Sequence, residues 1–245
     1  SVGGWGAITT GKNLAITLFE LLHYHIKANP KYGSEKKGQP TTYYLSAAPE
    51  PIRMNCEYFY VDVVLSPDPN VFGHSNPLAG LKHGGVFIIQ SDLGSPEAVW
   101  RRIPTRFQQI IIDNGIKVWH LDAFKIAREE ASDPELQYRM QGIAFQGAFY
   151  KASPVMAEAN LGEEELFKAI RDQLQHKFGA KGARIVEDNV RVVQRGYTEV
   201  HEIKDKIVGT ASLHEPLSHE PDAPMALRIQ PASSQPNTDI QRFWE

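Results

Sequence analysis

Cysteine is nearly absent from this sequence of 245 residues, in which Cys56 is the only one. A single thiol excludes an intramolecular disulfide, and it cannot hold an iron–sulfur cluster, which needs several cysteine thiolates. Because disulfides persist mainly in oxidising compartments, this composition predicts a cytoplasmic protein. Two interpretations of Cys56 stay open, a small buried hydrophobic residue and a reactive thiol.

The sequence also lacks a strong charge imbalance and long apolar runs. Its formal net charge is -3, so no basic surface for nucleic acid or anionic membrane is predicted. The longest apolar runs, such as GGVFIIQ, fall far short of the roughly 20 residues that a membrane-spanning helix needs. No charged-then-apolar signal pattern opens the chain. The histidines form no H-E-x-x-H array, and His23 and His25 are predicted to face different ways on one helix, so no metal site is expected.

Strand-like and helix-like segments alternate along most of the chain. The predicted strands are residues 41–48, 59–66 and 84–91, with a fourth contained within 117–124. The predicted helices are residues 10–29, ended by Pro30, 96–114, interrupted by Pro104, 136–151, 163–178 and 182–203. This alternation indicates an α/β domain with a mainly parallel sheet flanked by helices. The second and third strands are nearly continuous apolar runs, which predicts that both of their faces are buried.

The composition changes after the α/β region. Residues 1–211 are predicted to form the α/β domain, and residues 212–245 an extended, proline-rich tail. Two short apolar segments in the tail, MALRI and FWE, are unusual for a free linker. We therefore expect the tail to dock on a partner subunit.

The stretch GWGAITTGKN, from Gly4 to Asn13, is the first candidate for function. Glycines that open a helix allow backbone N–H groups to approach an anion, and the helix N-terminus and Lys12 add positive charge. Counted from Gly6, the stretch reads G-x-x-x-x-G-K-N, one residue away from the phosphate loop of nucleoside triphosphatases. Against that interpretation, Asn13 replaces the Mg²⁺-binding Ser or Thr and no apolar strand precedes the loop. A different phosphate site and a plain structural turn remain as alternatives.

Several segments in order resemble the gamma subunit, or gamma domain, of 2-oxoacid:ferredoxin oxidoreductases. The segment SVGGWGAITTGKNLA is similar to the family's G-x-G-G-x-G start, with Ser1 in place of the first glycine. The segment LKHGG within YVDVVLSPDPNVFGHSNPLAGLKHGGVFIIQSD is similar to its L-K-x-G-G and strand. MQGIAFQGAFYKAS, with Met140 and Phe145 as departures, and EDNVRVVQRGYTEV resemble its two later helices. The resemblance also places a short strand before the glycine loop, where this sequence has none.

The resemblance implies a Rossmann-like fold and a role in a multi-subunit enzyme. Such enzymes convert a 2-oxoacid, coenzyme A and an oxidised carrier into acyl-CoA, CO₂ and reduced carrier. It implies alpha, beta and ferredoxin-like partner subunits that carry thiamine diphosphate and [4Fe–4S] clusters and pass electrons to the carrier. The gamma part carries no catalytic residue, is inactive alone and helps to bind coenzyme A.

The resemblance also implies the residues of the coenzyme A site. These residues are Gly3, Gly4, Gly6, Thr10, Lys12 and Asn13. The alternatives are purely structural roles, in which Thr9 and Thr10 cap the helix and Lys12 is a solvated surface lysine. His74 and Asn76 follow a strand, so they either face a neighbouring active site or form an exposed polar loop. The 2-oxoacid is left open between pyruvate, 2-oxoglutarate and branched, aryl or indolyl acids.

Overall fold

The computed structural model describes residues 7–31, 41–53, 59–132 and 137–208. The strands are β1 (His25–Lys31), β2 (Thr42–Ala48), β3 (Val61–Ser66), β4 (Leu81–Gln90), β5 (Lys117–Leu121) and β6 (His201–Ile203). The helices are α1 (Ala7–Leu22), α2 (Pro96–Arg102), α3 (Thr105–Asp113), α4 (Ala123–Glu130), α5 (Gln137–Ala152), α6 (Val155–Glu158), α7 (Glu163–Phe178) and α8 (Ala183–Thr198). Cys56, most of the predicted loop at 31–40 and the predicted tail at 212–245 lie outside the described ranges.

A four-stranded sheet forms the centre of the fold, with the strand order β3-β4-β5-β6. The pairs β3–β4 and β4–β5 are parallel, whereas β6 runs antiparallel to β5. Helices pack on both faces of this sheet, so the predicted α/β fold with a mainly parallel sheet is confirmed. No helix among the described residues combines the length and apolar character needed to cross a membrane.

Strand β4 shows how the sheet separates two apolar cores. Val86 and Ile88 belong to the core beneath α1, α4, α5, α7 and α8, while Phe87 and Ile89 belong to the core beneath α2 and α3. Successive strand residues point to opposite faces, so a strand covered on both sides must be apolar throughout. The burial prediction is therefore confirmed for β4. It is wrong for β3, whose side chains are mostly half-buried because this strand has a neighbour on only one side.

Helices α5 and α8 approach each other at the level of the backbone. A methyl group placed on Gly147 would lie 2.0 Å from the carbonyl oxygen of Val193. One placed on Gly196 would lie 2.0 Å from the carbonyl oxygen of Ala144. Both glycines belong to segments that carried the family resemblance, and both are required because any side chain would hold the helices apart.

The predicted first helix is wrong beyond Leu22. His23 has a positive φ of 54°, and the chain then enters β1, which pairs antiparallel with β2. Pro30 lies inside β1, opposite Tyr43, and is tolerated there because each strand of a two-stranded sheet is an edge strand. The interpretation that His23 and His25 share a helix is therefore wrong as well. Pairing with β2 prevailed over continuation of the helix.

The predicted last helix also ends early, at Thr198 rather than at Ile203. The final residues form β6, in which Ile203 pairs with Val118 of β5 and is 1% exposed. The Ile203 side chain can be buried against the sheet only if the chain leaves the helix before this residue. The other helix predictions, including the interruption at Pro104, agree with the structure.

Candidate functional site

Of the predicted site residues that the structure describes on α1, one is exposed to solvent and two are buried. Gly3, Gly4 and Gly6 lie outside the described residues. Lys12 is exposed, whereas Thr10 and Asn13 are only 6% and 2% exposed. The structure therefore brings one predicted ligand group, the Lys12 ammonium, to the surface and places the other two side chains against the neighbouring helices.

Thr10 attaches α1 to α5. Its hydroxyl Oγ1 donates to the carbonyl oxygen of Gly142 at 3.0 Å. Because α1 already begins at Ala7, Thr10 lies within the first turn rather than at the cap position. The hydroxyl thus contributes to the packing of the helix start. Its assignment to coenzyme A stays a prediction.

Asn13 joins the helix start to α7. Its side-chain Oδ1 accepts a hydrogen bond from the Lys177 ammonium at 2.7 Å, and its backbone carbonyl accepts one from Gln173 at 3.3 Å. The other side-chain atom, Nδ2, is buried and has no hydrogen-bond partner among the described residues. Lys177 is 164 residues away along the chain, so no sequence motif could have linked it to the glycine loop.

A buried polar network continues beneath α1. The Thr17 hydroxyl lies 2.5 Å from Gln173 Oε1 and accepts from Gln146 Nε2 at 3.0 Å. Burial raises the pKa of the Tyr150 hydroxyl, which lies beside Thr17. Hydrogen bonds between buried polar side chains fix the relative positions of the elements that contribute to them. The first turns of α1 are thus held in place by α5 and α7.

Positive charge accumulates at this end of α1. Partial burial, and then the neighbouring Lys12 ammonium, lower the pKa of Lys177. Among the described residues, neither lysine forms an ion pair with a carboxylate. The arrangement can therefore attract an anion, and a phosphate group is one chemical class that such sites bind.

The carboxyl ends of the parallel strands form a second polar region. The buried Asp68 carboxylate after β3 accepts from the backbone N–H of Asn70 at 2.9 Å and contacts His74 Nε2 at 2.6 Å. Asn76 Oδ1 accepts from the N–H of Leu78 at 3.1 Å. These polar groups fix the loop through internal hydrogen bonds. That His74 and Asn76 face a neighbouring active site stays a prediction.

His120 of β5 is a second buried titratable group. It is 5% exposed, and its Nε2 has no hydrogen-bond partner in the described part of the chain. Burial, reinforced by His201 at a ring-centre distance of 5.9 Å, lowers the pKa of His120 to about 4, against a partly opposing effect of Glu97. His120 is therefore neutral in the folded protein.

This burial predicts an acid-sensitive contribution to stability. The folded-state pKa lies below the ordinary value of 6.5, so the unfolded chain binds the proton first as pH falls. The contribution of neutral His120 to the free energy of unfolding is complete above pH 6.5. It decreases by roughly 3 kcal/mol as the pH falls to about 4. Urea unfolding of wild type and His120→Phe across this pH interval measures this contribution. Both proteins have the same carboxylates, so the titration of those groups cancels in the comparison. The expected result is a difference that changes with pH. Parallel pH profiles would refute the assignment.

The comparison with known sequences agrees with this architecture. The profile of the family described as pyruvate ferredoxin/flavodoxin oxidoreductase matches residues 1–199. The chain is 27% identical over 203 residues to the pyruvate:ferredoxin oxidoreductase of Moorella thermoacetica, covering 83% of this chain but only 16% of that protein. It is 28% identical over 186 residues to the pyruvate/ketoisovalerate oxidoreductases common subunit gamma of Pyrococcus furiosus, covering 76% of this chain and 90% of that subunit.

Solved structures share the fold. The pyruvate oxidoreductase subunit PORC of Thermotoga maritima superposes with a TM-score of 0.61 at 20% identity, over 83% of this chain and 94% of that one. The gamma subunit of a keto/oxoacid ferredoxin oxidoreductase from Geobacter sulfurreducens gives a TM-score of 0.54 at 18% identity. The resemblance stated from the sequence is confirmed. The chain belongs to the pyruvate ferredoxin/flavodoxin oxidoreductase family.

Proposed function

We propose that this chain is the gamma-type subunit of a coenzyme A-acylating 2-oxoacid oxidoreductase complex of the cytoplasm. The complex converts a 2-oxoacid, coenzyme A and an oxidised carrier into acyl-CoA, CO₂ and reduced carrier. Within it, this chain helps assembly and contributes to coenzyme A binding. The observation that carries the proposal is the match to gamma subunits over 90% of their length.

The geometry of α1 supports the coenzyme A part of the proposal. Lys12 presents an exposed ammonium at a helix start that is held by the Thr10 hydroxyl and the buried Asn13 side chain. A charged donor on a fixed helix loses less freedom on binding than one on a mobile loop. The diphosphate and the phosphomonoester of coenzyme A are the ligand groups that such a donor would bind.

The cysteine content of this chain does not fit the iron–sulfur clusters of the family. One cysteine cannot supply the thiolates of a [4Fe–4S] cluster. Among the described residues, no group of three or more His, Cys, Asp or Glu side chains is arranged to hold a metal ion. The proposal therefore assigns these groups to the alpha, beta and ferredoxin-like partners, and no chemical step is assigned to this chain.

A free-standing triphosphatase or dinucleotide-binding protein is the competing interpretation. The residue at the Mg²⁺-ligand position is Asn13, which is buried and bonded to the Lys177 ammonium at 2.7 Å. A cation already adjacent to that side chain disfavours a second cation there. This contact argues against the nucleotide–Mg²⁺ alternative.

Reconstitution tests the proposed function. The purified chain, the partner subunits without it, and the full complex are each assayed for coenzyme A-dependent reduction of a viologen dye with a panel of 2-oxoacids. We expect no turnover by the isolated chain and turnover only when all subunits are combined. Turnover by the isolated chain, or a complete complex that oxidises no 2-oxoacid, would refute the proposal. The panel also identifies the 2-oxoacid.

A further inference from the structure

We propose that the outward face of α1 is the surface on which this chain docks to a partner subunit of the complex, with Ile16 and Phe19 at the apolar centre of the contact. The inference rests on the proposed function and deepens it, because it names a surface through which the chain assembles. The partner that this surface fits is another subunit of the same enzyme, which covers the two side chains with an apolar surface of its own.

Helix α1 is packed against the rest of the domain on three of its sides. The Thr10 hydroxyl donates to α5, and the Asn13 side chain accepts from α7. On the third side, the ring of Tyr43 in β2 lies so close to Gly11 that a methyl group placed on this glycine would be 2.1 Å from a ring carbon. The fourth side of the helix is therefore the one that faces outward.

Two large apolar side chains project from this outward side. Ile16 is 40% exposed and Phe19 is 59% exposed. Residues three positions apart lie on the same face of a helix, so the two side chains are neighbours. Lys12 lies one turn before Ile16 on the same face and is also exposed. The outward face is therefore apolar in its second half and carries the predicted coenzyme A ligand in its first.

The composition of α1 is that of a helix whose outward face is also covered. Its only charged residues are Lys12 and Glu20. Helix α7 has the same length of 16 residues, but most of its exposed positions carry charged side chains. The charged residues of α7 are Glu163, Glu164, Glu165, Lys168, Arg171, Asp172 and Lys177. A surface helix ordinarily has one apolar and one charged or polar face, whereas a helix with apolar residues on opposite faces is usually buried.

The size of this face fits the centre of a subunit interface rather than a complete interface. A helix of 16 residues is about 24 Å long, and one face about 10 Å wide therefore offers roughly 240 Å². Each partner in a standard interface buries about 800 Å². Surfaces beside α1 must supply the remainder. Phe19 contributes an aromatic group of the kind that is enriched at interface centres.

The relatives indicate what covers the face. The region that matches this chain is 16% of the Moorella thermoacetica protein, so the equivalent of this chain is covalently joined there to the remainder of that protein. The same unit makes up 90% of the separate subunit gamma of Pyrococcus furiosus. Under the proposed function, the regions that are fused in one relative correspond to partner subunits here. We therefore assign the face to a partner subunit rather than to a second copy of this chain.

The simpler alternative is that Ile16 and Phe19 are surface residues without a binding role. Single apolar side chains are common on protein surfaces and need no explanation. That alternative predicts unchanged assembly when either side chain is replaced by a charged one. Because both side chains are exposed, such substitutions remove little packing within the chain itself. Assembly therefore distinguishes the two interpretations.

The test is the dissociation constant of the full chain for the remaining subunits of the complex, measured by biolayer interferometry on the immobilised partners. Phe19→Glu and Ile16→Glu place a carboxylate in the proposed contact, and Phe19→Leu keeps it apolar. Ile112→Glu makes the same change at an isoleucine of α3 that is 36% exposed. We expect Phe19→Glu and Ile16→Glu each to raise the dissociation constant about 30-fold or more, as for residues at an interface centre. Phe19→Leu and Ile112→Glu should stay close to wild type.

A second measurement needs no substitution. Hydroxyl-radical footprinting of the wild-type chain, alone and in the complex, reports the exposure of Phe19, and its oxidation should fall on assembly. Unchanged oxidation of Phe19 would overturn the inference, as would wild-type affinity in both glutamate variants of α1 or the same loss in Ile112→Glu. A homodimer of the wild-type chain that Phe19→Glu dissociates in sedimentation velocity would assign the face to a second copy and overturn it as well. A wild-type chain that binds no partner subunit would instead refute the proposed function.

Discussion

Replacing Gly196 with alanine is expected to lower the free energy of unfolding by about 3 kcal/mol, the upper end of the usual range for overpacking. The added methyl group would lie 2.0 Å from the carbonyl oxygen of Ala144 and 2.7 Å from its carbonyl carbon, both of which are backbone atoms of α5. A side chain could rotate away from this contact, but a helix backbone cannot. Helices α5 and α8 would have to separate, which would disturb the core that Val192 and Val193 share with Ala144.

The experiment is informative because the expected destabilisation is opposite in sign to the usual effect of alanine in a helix. Inside a helix, glycine to alanine ordinarily stabilises a protein by up to about 1 kcal/mol, because alanine has the higher helix propensity. Urea unfolding of Gly196→Ala is compared with that of Gly94→Ala, the same change at a loop glycine with no atom within 4 Å of the added methyl group. Destabilisation confined to Gly196→Ala is expected. A neutral or stabilising effect at Gly196 would mean that the close helix crossing is wrong.

The sequence predicted the fold where local signals and long-range packing agree. The nearly continuous apolar run of β4 is covered on both faces, so its composition alone indicated a central strand. Pro104 separates α2 from α3 as expected, because proline lacks the N–H that a continuous helix needs. The predictions failed where a distant partner decided the outcome. The first helix is predicted to continue to residue 29, yet residues 25–31 form β1 and pair with β2.

The candidate site was predictable only in part, because contacts between residues far apart in the sequence leave no local pattern. Lys12 could be identified because the glycines and the lysine are adjacent in sequence. Lys177 could not, because only the packing of α7 on α1 brings its ammonium to Asn13. Likewise, no sequence pattern indicated that Thr10 would bond to Gly142 or that His120 would be buried beside His201. Motifs identify residues that are neighbours in the chain, whereas the fold determines the rest of the site.

The second large effect is expected at the opening of α1. Lys12→Ala removes an exposed ammonium from a helix start whose other polar groups are held in the interior. A charge-assisted hydrogen bond to phosphate contributes roughly 1.5 to 3 kcal/mol, which corresponds to a rise of about 10- to 100-fold in the dissociation constant. Because Lys12 is exposed and takes no part in the described ion pairs, its removal should leave folding and assembly intact. Oxidation of the 2-oxoacid itself should also be unaffected.

The most direct test of the central claim is the dissociation constant of coenzyme A for the assembled complex, measured by calorimetry with wild-type, Lys12→Ala and Lys168→Ala chains. Lys168 is an exposed lysine of α7 and controls for the loss of one positive charge. The account predicts a rise of about 10- to 100-fold for Lys12→Ala, with Lys168→Ala close to wild type. An unchanged dissociation constant in a correctly assembled Lys12→Ala complex would contradict it and would leave Lys12 as a solvated surface lysine.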